Sequence, residues 1–423
     1  MFGWQNAQSL LGILFVIAVA WGLSEEKRRF PWRLVLGAIA VQALLVVALF
    51  GFPAMQAVLD GVNAGVDGLA AATRRGAQFV FGYLAGGPQP YALANEDALF
   101  VFAFEVLPLI LVISSLSALL WHWKILKWIT HGFGILFQRT MGLGGASALA
   151  VAANIFLGMI ESPIVIRAYL DKLSRSELFL MMVVGLATVA GSTMVAYAAI
   201  LKGTLDNAAG HVLVASIVSA PAGVMLARII IPEKPGQGGT YADYDSALKY
   251  DSSIDAIVRG TADGLSVVLN ISAILIVFVA FVALANVMLG GLWWDGPITV
   301  ERILGYLFTP LAWLIGVPWE DAGKAGWLLG VKLVLTEFVA FIELGKVPAA
   351  ELSERSRMLM TYALCGFANI GSVGITVTGF GILMPERRQE VIGMVWKALI
   401  AGFLATCLSA AVVGAMPPAM FGQ

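Results

Sequence analysis

Two acidic residues stand where an apolar solvent should exclude them. Glu161 lies in the hydrophobic run Ala146–Arg167, and Glu337 lies in the run Trp327–Gly345. A carboxylate at the centre of a bilayer costs at least about 2.5 kcal/mol on insertion scales, so such groups pair, face water or bind something. Asn154, Thr188, Asn369 and Ser372 add neutral oxygens and amides in neighbouring apolar stretches. Two carboxylates with amides suit a polyhydroxylated, hydrogen-bonding solute and repel an anion. Carbonyls plus a hydroxyl suit a hard monovalent cation. The bland alternative is a structural ion pair, with Lys332 five residues from Glu337 as the partner.

The rest of the chain says what solvent these residues face. Hydrophobic residues make up 59% of the 423 residues and charged residues 13%, against roughly 25% charged in soluble proteins. The mean hydropathy is +0.87. Basic and acidic residues number 26 and 27, so no strong field points to nucleic acid. Cys365 and Cys407 lie in apolar stretches and form no disulfide scaffold. His122, His131 and His211 show no metal-ligand spacing. The first apolar run lacks a basic leader and a small-residue cleavage site, so it reads as a retained span.

Crossing the hydrocarbon core takes about 20 apolar residues. The candidate spans are Ser9–Leu23, Trp32–Gly51, Ala98–Leu120, Leu178–Leu201, Val212–Ile231, Leu265–Leu289, Met358–Leu383 and Val391–Val413. Eight spans put both termini on one side. With the two long connections 121–177 and 290–357 set aside, connections facing one side hold eleven Lys and Arg, among them Lys27 to Arg33, Arg228 to Arg259, and Arg387, Arg388 and Lys397; the other side holds three, Arg74, Arg75 and Lys202. The positive-inside rule then puts the termini outside and the Gly- and Pro-containing stretch around Glu233–Ser253 in the cytoplasm.

Two connections, 121–177 and 290–357, are too apolar for plain loops. Their hydrophobic runs are broken by Gly158, Glu161 and Pro163 in one, and by Gly330, Lys332, Glu337 and Glu343 in the other. Each fits a re-entrant hairpin, because irregular backbone at membrane depth is tolerated only in protein or along a watery cavity. A kinked ordinary span is the alternative, and converting only one run would leave an odd number of crossings. The two regions also repeat. Glu161 follows Ile125 by 36 residues and Glu337 follows Ile303 by 34. Gly185-Leu-Ala-Thr188-Val then parallels Gly366-Phe-Ala-Asn369-Ile. Each half reads as amphipathic helix, hairpin, broken span, span. The fold class is therefore an all-α polytopic membrane protein of eight transmembrane helices and two hairpins. Because the hairpins enter from opposite sides, the repeat is inverted, as in many secondary transporters. Helix packing by small residues alone is the plainer reading of the glycine pattern.

Several of these stretches resemble the concentrative nucleoside transporter family. They are Ala152-Ala-Asn-Ile-Phe-Leu-Gly-Met-Ile-Glu161-Ser-Pro163, Thr336-Glu337-Phe-Val-Ala340, Cys365-Gly-Phe-Ala-Asn369 with Ser372, Gly316-Val-Pro-Trp319, and Phe102-Ala-Phe-Glu-Val-Leu-Pro108. The likeness runs from about Glu105 to Lys397 and is to the bacterial, eight-span form. It implies an elevator-type homotrimer in the bacterial inner membrane, in contact with lipid. Residues 1–120, three spans with an interfacial helix, and 264–290 would be scaffold. Residues 121–232 and 291–423 would be the two halves of a mobile transport domain, with 233–263 a cytoplasmic loop.

By the same resemblance, Met159, Ile160 and Glu161 form the first hairpin tip, with Glu161 bonding a nucleobase. Glu337, Asn369 and Ser372 would hold ribose hydroxyls, and Phe367 would shape the pocket. Sodium would sit at Asn154, Thr188 and the carbonyls of Leu157 and Val189, although some members couple to protons, which Glu161 or Glu337 could carry. The chain departs from the family at Met159-Ile160, where two hydrogen-bonding residues are usual. It departs also at Glu105, where a basic or neutral polar residue is commoner, and at Thr336, which replaces an Asn. The ribose side of the site therefore reads as closer to the family than the base side, which leaves room for a modified nucleoside or another glycoside-like solute.

Two rival classes are weaker. An intramembrane enzyme needs a nucleophile–base or metal constellation, and no Ser near a His and no metal-spaced acids occur. A passive channel needs no pair of glutamate-bearing hairpins.

Overall fold

The computed structural model describes residues 3–91, 101–159, 161–234, 248–290, 298–348 and 350–421. Among them every regular element is a helix. Seven helical stretches are long and apolar enough to cross a membrane. The expected span Met358–Leu383 fails that length test because it is two helices, α16 (Glu354–Leu364) and α17 (Ile370–Leu383). The span before it in the first half is broken too, into α9 (Arg175–Ala187) and α10 (Gly191–Ile200).

The N-terminal helices are α1 (Trp4–Gly22), α2 (Trp32–Phe50) and α3 (Pro53–Phe81). The 52–97 stretch, expected to be a connection, thus holds a 29-residue helix, opened by Pro53 at its first turn where a missing N–H costs nothing. Short α4 (Phe102–Glu105) leads into α5 (Leu107–His122). They separate at Val106 because Pro108 has no N–H for the Phe104 carbonyl and cannot continue α4, whereas in the first turn of α5 it is tolerated.

The two halves then run in matching order. The first has α6 (Ile125–Met141), α7 (Gly145–Asn154), α8 (Glu161–Val165), α9, α10 and α11 (Ala208–Ile230). After the long α12 (Ser253–Leu289) come α13 (Val300–Leu314), α14 (Trp319–Val334), α15 (Glu337–Lys346), α16, α17 and α18 (Arg388–Gly414). Each proposed hairpin is thus a pair of short helices with the glutamate at the first position of the second.

The buried centre is built by α9, α11 and α18, with α16 against them. α1 packs on α18, α2 packs on α11, and α5 pairs with α12. Local chemistry pins the hairpin to this core. Ser174 and Glu177 form a reciprocal cap at the start of α9, and Glu177 also accepts the Ser147 hydroxyl of α7 at 2.9 Å. A buried acid is thereby fully used as a helix cap and a strut.

Close packing at the core depends on missing side chains. A Cβ on Gly402 of α18 would lie 2.8 Å from Cβ of Leu186 on α9, and 3.2 Å from its carbonyl carbon. Gly393, on the same helix, would meet nothing within 4 Å. Gly402→Ala should therefore lower the unfolding temperature of the purified protein, by overpacking of about 1–3 kcal/mol. Gly393→Ala should raise it slightly, because helical Ala is favoured over Gly by about 1 kcal/mol. Equal responses would show that α9 and α18 do not meet here.

Candidate functional site

The two broken spans meet at their breaks. The N–H of Phe367 donates to the carbonyl of Thr188 at 3.3 Å. Gly366 sits so close that a Cβ would come 2.8 Å from the Ala187 carbonyl oxygen. The first hairpin joins the same junction, since the N–H of Gly191 donates to the Phe156 carbonyl at 3.0 Å. Backbone groups freed by each break are thus used by another segment, as a lipid surround requires.

Glu337 opens α15, where the helix dipole favours a negative charge. Its two oxygens are held separately. The Tyr197 hydroxyl donates to Oε1 at 2.9 Å, and the Asn369 amide donates to Oε2 at 2.6 Å. Asn369 caps α17 at the same time, its Oδ1 accepting from the Ser372 N–H at 2.8 Å. Both ends of that amide are therefore oriented. Tyr197 is fully buried, stacked on Phe341 at 4.3 Å and edge-on to Phe338 at 5.2 Å. The sequence reading missed Tyr197; the signal was a lone phenol in a half-helix of small residues, since a buried Tyr hydroxyl needs a partner.

Lys332 does not pair with Glu337. It is fully buried, and its Nζ donates to the Ala363 carbonyl and the Thr406 hydroxyl, both at 2.8 Å. The ion-pair reading of Glu337 is overturned by this: the carboxylate is held by a phenol and an amide.

Glu337, Asn369, Ser372, Phe367, Met159 and Glu161 all line one cavity of about 400 Å³. Ile160 lies outside the described residues. Sequence reasoning left out the opposite wall, where Ser114 and Ser117 of α5 and Asp263, Ser266 and Asn270 of α12 face the same space. Tyr250 also lines it. Burial first, then the charge of Asp263, pushes the Tyr250 phenol up to about 12 against the pull of Arg259, and Glu161 adds to the rise. The Tyr250 hydroxyl stays protonated, hence a donor, at neutral pH. Among the described lining residues there are three carboxylates and no Lys, Arg or His. Glu105 is not among them; it accepts from the Val101 N–H at 3.2 Å.

Of the residues considered for a cation, Asn154 and Thr188 meet. Asn154 ends α7 with both amide side-chain atoms buried and without a hydrogen-bond partner among the described residues. The Thr188 hydroxyl lies 2.8 Å from the Val184 carbonyl and 3.2 Å from that of Asn154. Leu157 lines the cavity, and the Val189 carbonyl has only a 3.5 Å contact from Ser216. A buried amide oxygen without a partner among the described residues, a hydroxyl and backbone carbonyls are hard-oxygen donors of the kind that fits sodium. The set holds no carboxylate or thiolate of the kind a transition metal prefers.

Comparison with known proteins matches three family models. Residues 11–84 and 211–414 match the N- and C-terminal parts of "Na+ dependent nucleoside transporter", and residues 103–204 match a "nucleoside recognition" gate. An uncharacterized transporter, YutK of Bacillus subtilis, is 38% identical over 96% of this chain and 98% of its own. The nucleoside permease NupC of Helicobacter pylori is 34% identical over 96% of both chains. Rat sodium/nucleoside cotransporter 1 is 33% identical over 97% of this chain and 64% of its own. The structure of CNTnw in an inward-facing substrate-bound state superposes with a TM-score of 0.87 at 34% identity, over 99% of both chains.

Removing the Tyr197 hydroxyl leaves Oε1 of a buried carboxylate without its donor. Tyr197→Phe should cost about 1.5–3 kcal/mol, the range for hydrogen bonds to charged groups. The check is thermal unfolding of the purified protein in detergent; an unchanged midpoint would mean that the contact contributes nothing.

Proposed function

Because this chain belongs to the concentrative nucleoside transporter family, we propose that it is a cation-coupled symporter that imports nucleosides or closely related glycoside-like solutes. The family's members are transporters rather than enzymes, and the multi-pass helical fold is theirs. The observation that carries the finer reading is Glu337. A carboxylate gripped by Tyr197 and Asn369, opening onto a cavity lined by acids and hydroxyls, suits ribose hydroxyls and disfavours a phosphate. Asn369 and Ser372 would share the sugar, with Phe367 against it.

Sodium as the coupling ion is supported by the buried Asn154 side chain, which has no hydrogen-bond partner among the described residues, on a residue whose carbonyl meets the Thr188 hydroxyl. Asn154, Thr188 and the carbonyls of Leu157 and Val189 would hold it, and the bound ion would tie the first hairpin to the break in the first broken span. Proton coupling through Glu161 or Glu337 is the alternative. At the base end, Met159 brings a thioether where the family uses a polar side chain; its sulfur lies 4.0 Å from the Thr376 hydroxyl. A weak acceptor reads a base less strictly, so a modified nucleoside is a second candidate solute.

The remaining architecture follows the same reading. We place both termini outside a bacterial inner membrane and treat the two halves as inverted. The hairpin-bearing unit would move past a scaffold that includes α5 and α12, within a homotrimer. The apolar outer face of α12, with Ile276, Val287 and Met288 all more than 70% exposed, is available to lipid or to a neighbouring protomer.

The test is uptake of labelled nucleosides into proteoliposomes. Accumulation should require an inward sodium gradient and stop with Glu337→Gln while the purified variant assembles as before. Asn154→Ala should lose the sodium requirement together with most of the rate. No gradient-driven accumulation across a broad panel of nucleosides and glycosides would end the proposal, and wild-type rates in Glu337→Gln would remove Glu337 from the site.

A further inference from the structure

In each half the first arm of the hairpin carries one polar side chain to the end of a broken helix. In the first half it is Asn154, the last residue of α7. Its amide nitrogen would lie 3.9 Å from a Cβ on Gly185, in the last turn of α9. In the second half it is Lys332, in the last turn of α14, whose Nζ donates to the Ala363 carbonyl in the last turn of α16. The last carbonyls of any helix are unsatisfied within it and carry the negative end of its dipole. Both half-helices therefore end in a partial negative charge inside the membrane protein. Asn154 brings no charge to it, and its side chain has no hydrogen-bond partner among the described residues. Lys332 brings an ammonium, and a hydroxyl and an aromatic ring complete its surroundings. These are Thr406 at 2.8 Å and the Phe403 ring, whose centroid is 5.3 Å away.

We infer that Lys332 is the resident cation of the second half, a tethered ammonium doing at the α16 break what a bound cation does at the α9 break. It joins the hairpin arm to the broken span and to α18, and so keeps Glu337 and Asn369 in register without a second ion. Lys332 is a positioning residue, since its Nζ bonds to Ala363 and Thr406 rather than to groups lining the cavity. The asymmetry has a consequence for coupling, which rests on the cation-coupled reading above. The α16 break is already served by an ammonium of the chain itself, so one monovalent cation should accompany each solute.

The experiment uses the purified full-length protein. Sodium titration of its thermal stability, without solute, should follow a Hill coefficient of about one; a value near two contradicts the inference. Lys332→Met keeps the length and removes the charge. It should still be stabilised by sodium but bind uridine or adenosine at least tenfold more weakly at saturating sodium. A purely structural lysine would lower stability while leaving that affinity unchanged, and this result would overturn the proposal. If Lys332→Met does not fold, Thr406→Val decides, because it keeps the charge and removes one acceptor. A several-fold loss of nucleoside affinity is expected, and wild-type affinity would refute it. A wild-type protein that binds no nucleoside defeats the transport reading itself. A wild type and a Lys332→Met variant that bind equally well defeat only the role given to Lys332.

Discussion

A helix broken at membrane depth leaves N–H and C=O groups that no water can satisfy, and each must find a partner inside the protein. Much of the centre of this molecule follows from that constraint. The Thr188 carbonyl is taken by the Phe367 N–H, and the Phe156 carbonyl by that of Gly191. The Ser372 N–H in the first turn of α17 is capped by Asn369, which is thereby held against Glu337. The end of α16 is taken by Lys332. The Asn154 side chain is buried and has no hydrogen-bond partner among the described residues.

Bringing two breaks together requires the backbones to approach, and the sequence meets that need with glycine. Gly366 lies against Ala187 and Thr406, and Gly402 against Leu186. These glycines are required by contact distance rather than by backbone angle. They place the end of α9, the break before α17 and the middle of α18 in one packed unit. The polar groups are therefore held by a stiff apolar frame, which is the condition for a site to distinguish one solute from another.

The architecture was largely readable from the chain because membrane spans obey a strong length and polarity rule. Glu161 and Glu337 stood out because so few charges occur in the apolar runs. Other features were hidden for identifiable reasons. The bounds of the long α3, though not an interfacial helix in this part of the chain, were hidden because an amphipathic helix carries neither the hydropathy of a span nor the turn residues of a loop. Tyr197 sits 140 residues from the carboxylate it holds, a separation over which no periodicity speaks. Lys332 is near Glu337 in sequence and was weighed as its partner, but one turn of α14 and the start of a new helix carry it to Ala363 and Thr406 instead. The opposite wall, Asp263, Ser266 and Asn270, was invisible because those residues lie in a helix whose apolar content dominates the reading.

The central claim is that the Glu337–Asn369 pair reads the hydroxyls of a ribose. Equilibrium binding of a nucleoside and of its 2′,3′-dideoxy analogue to the purified protein, at saturating sodium, tests it most directly. Each hydrogen bond to a charged group contributes about 1.5–3 kcal/mol, so losing the diol should weaken binding by about tenfold or more. Equal affinities for the two compounds would contradict the account, because the sugar would then lie away from Glu337.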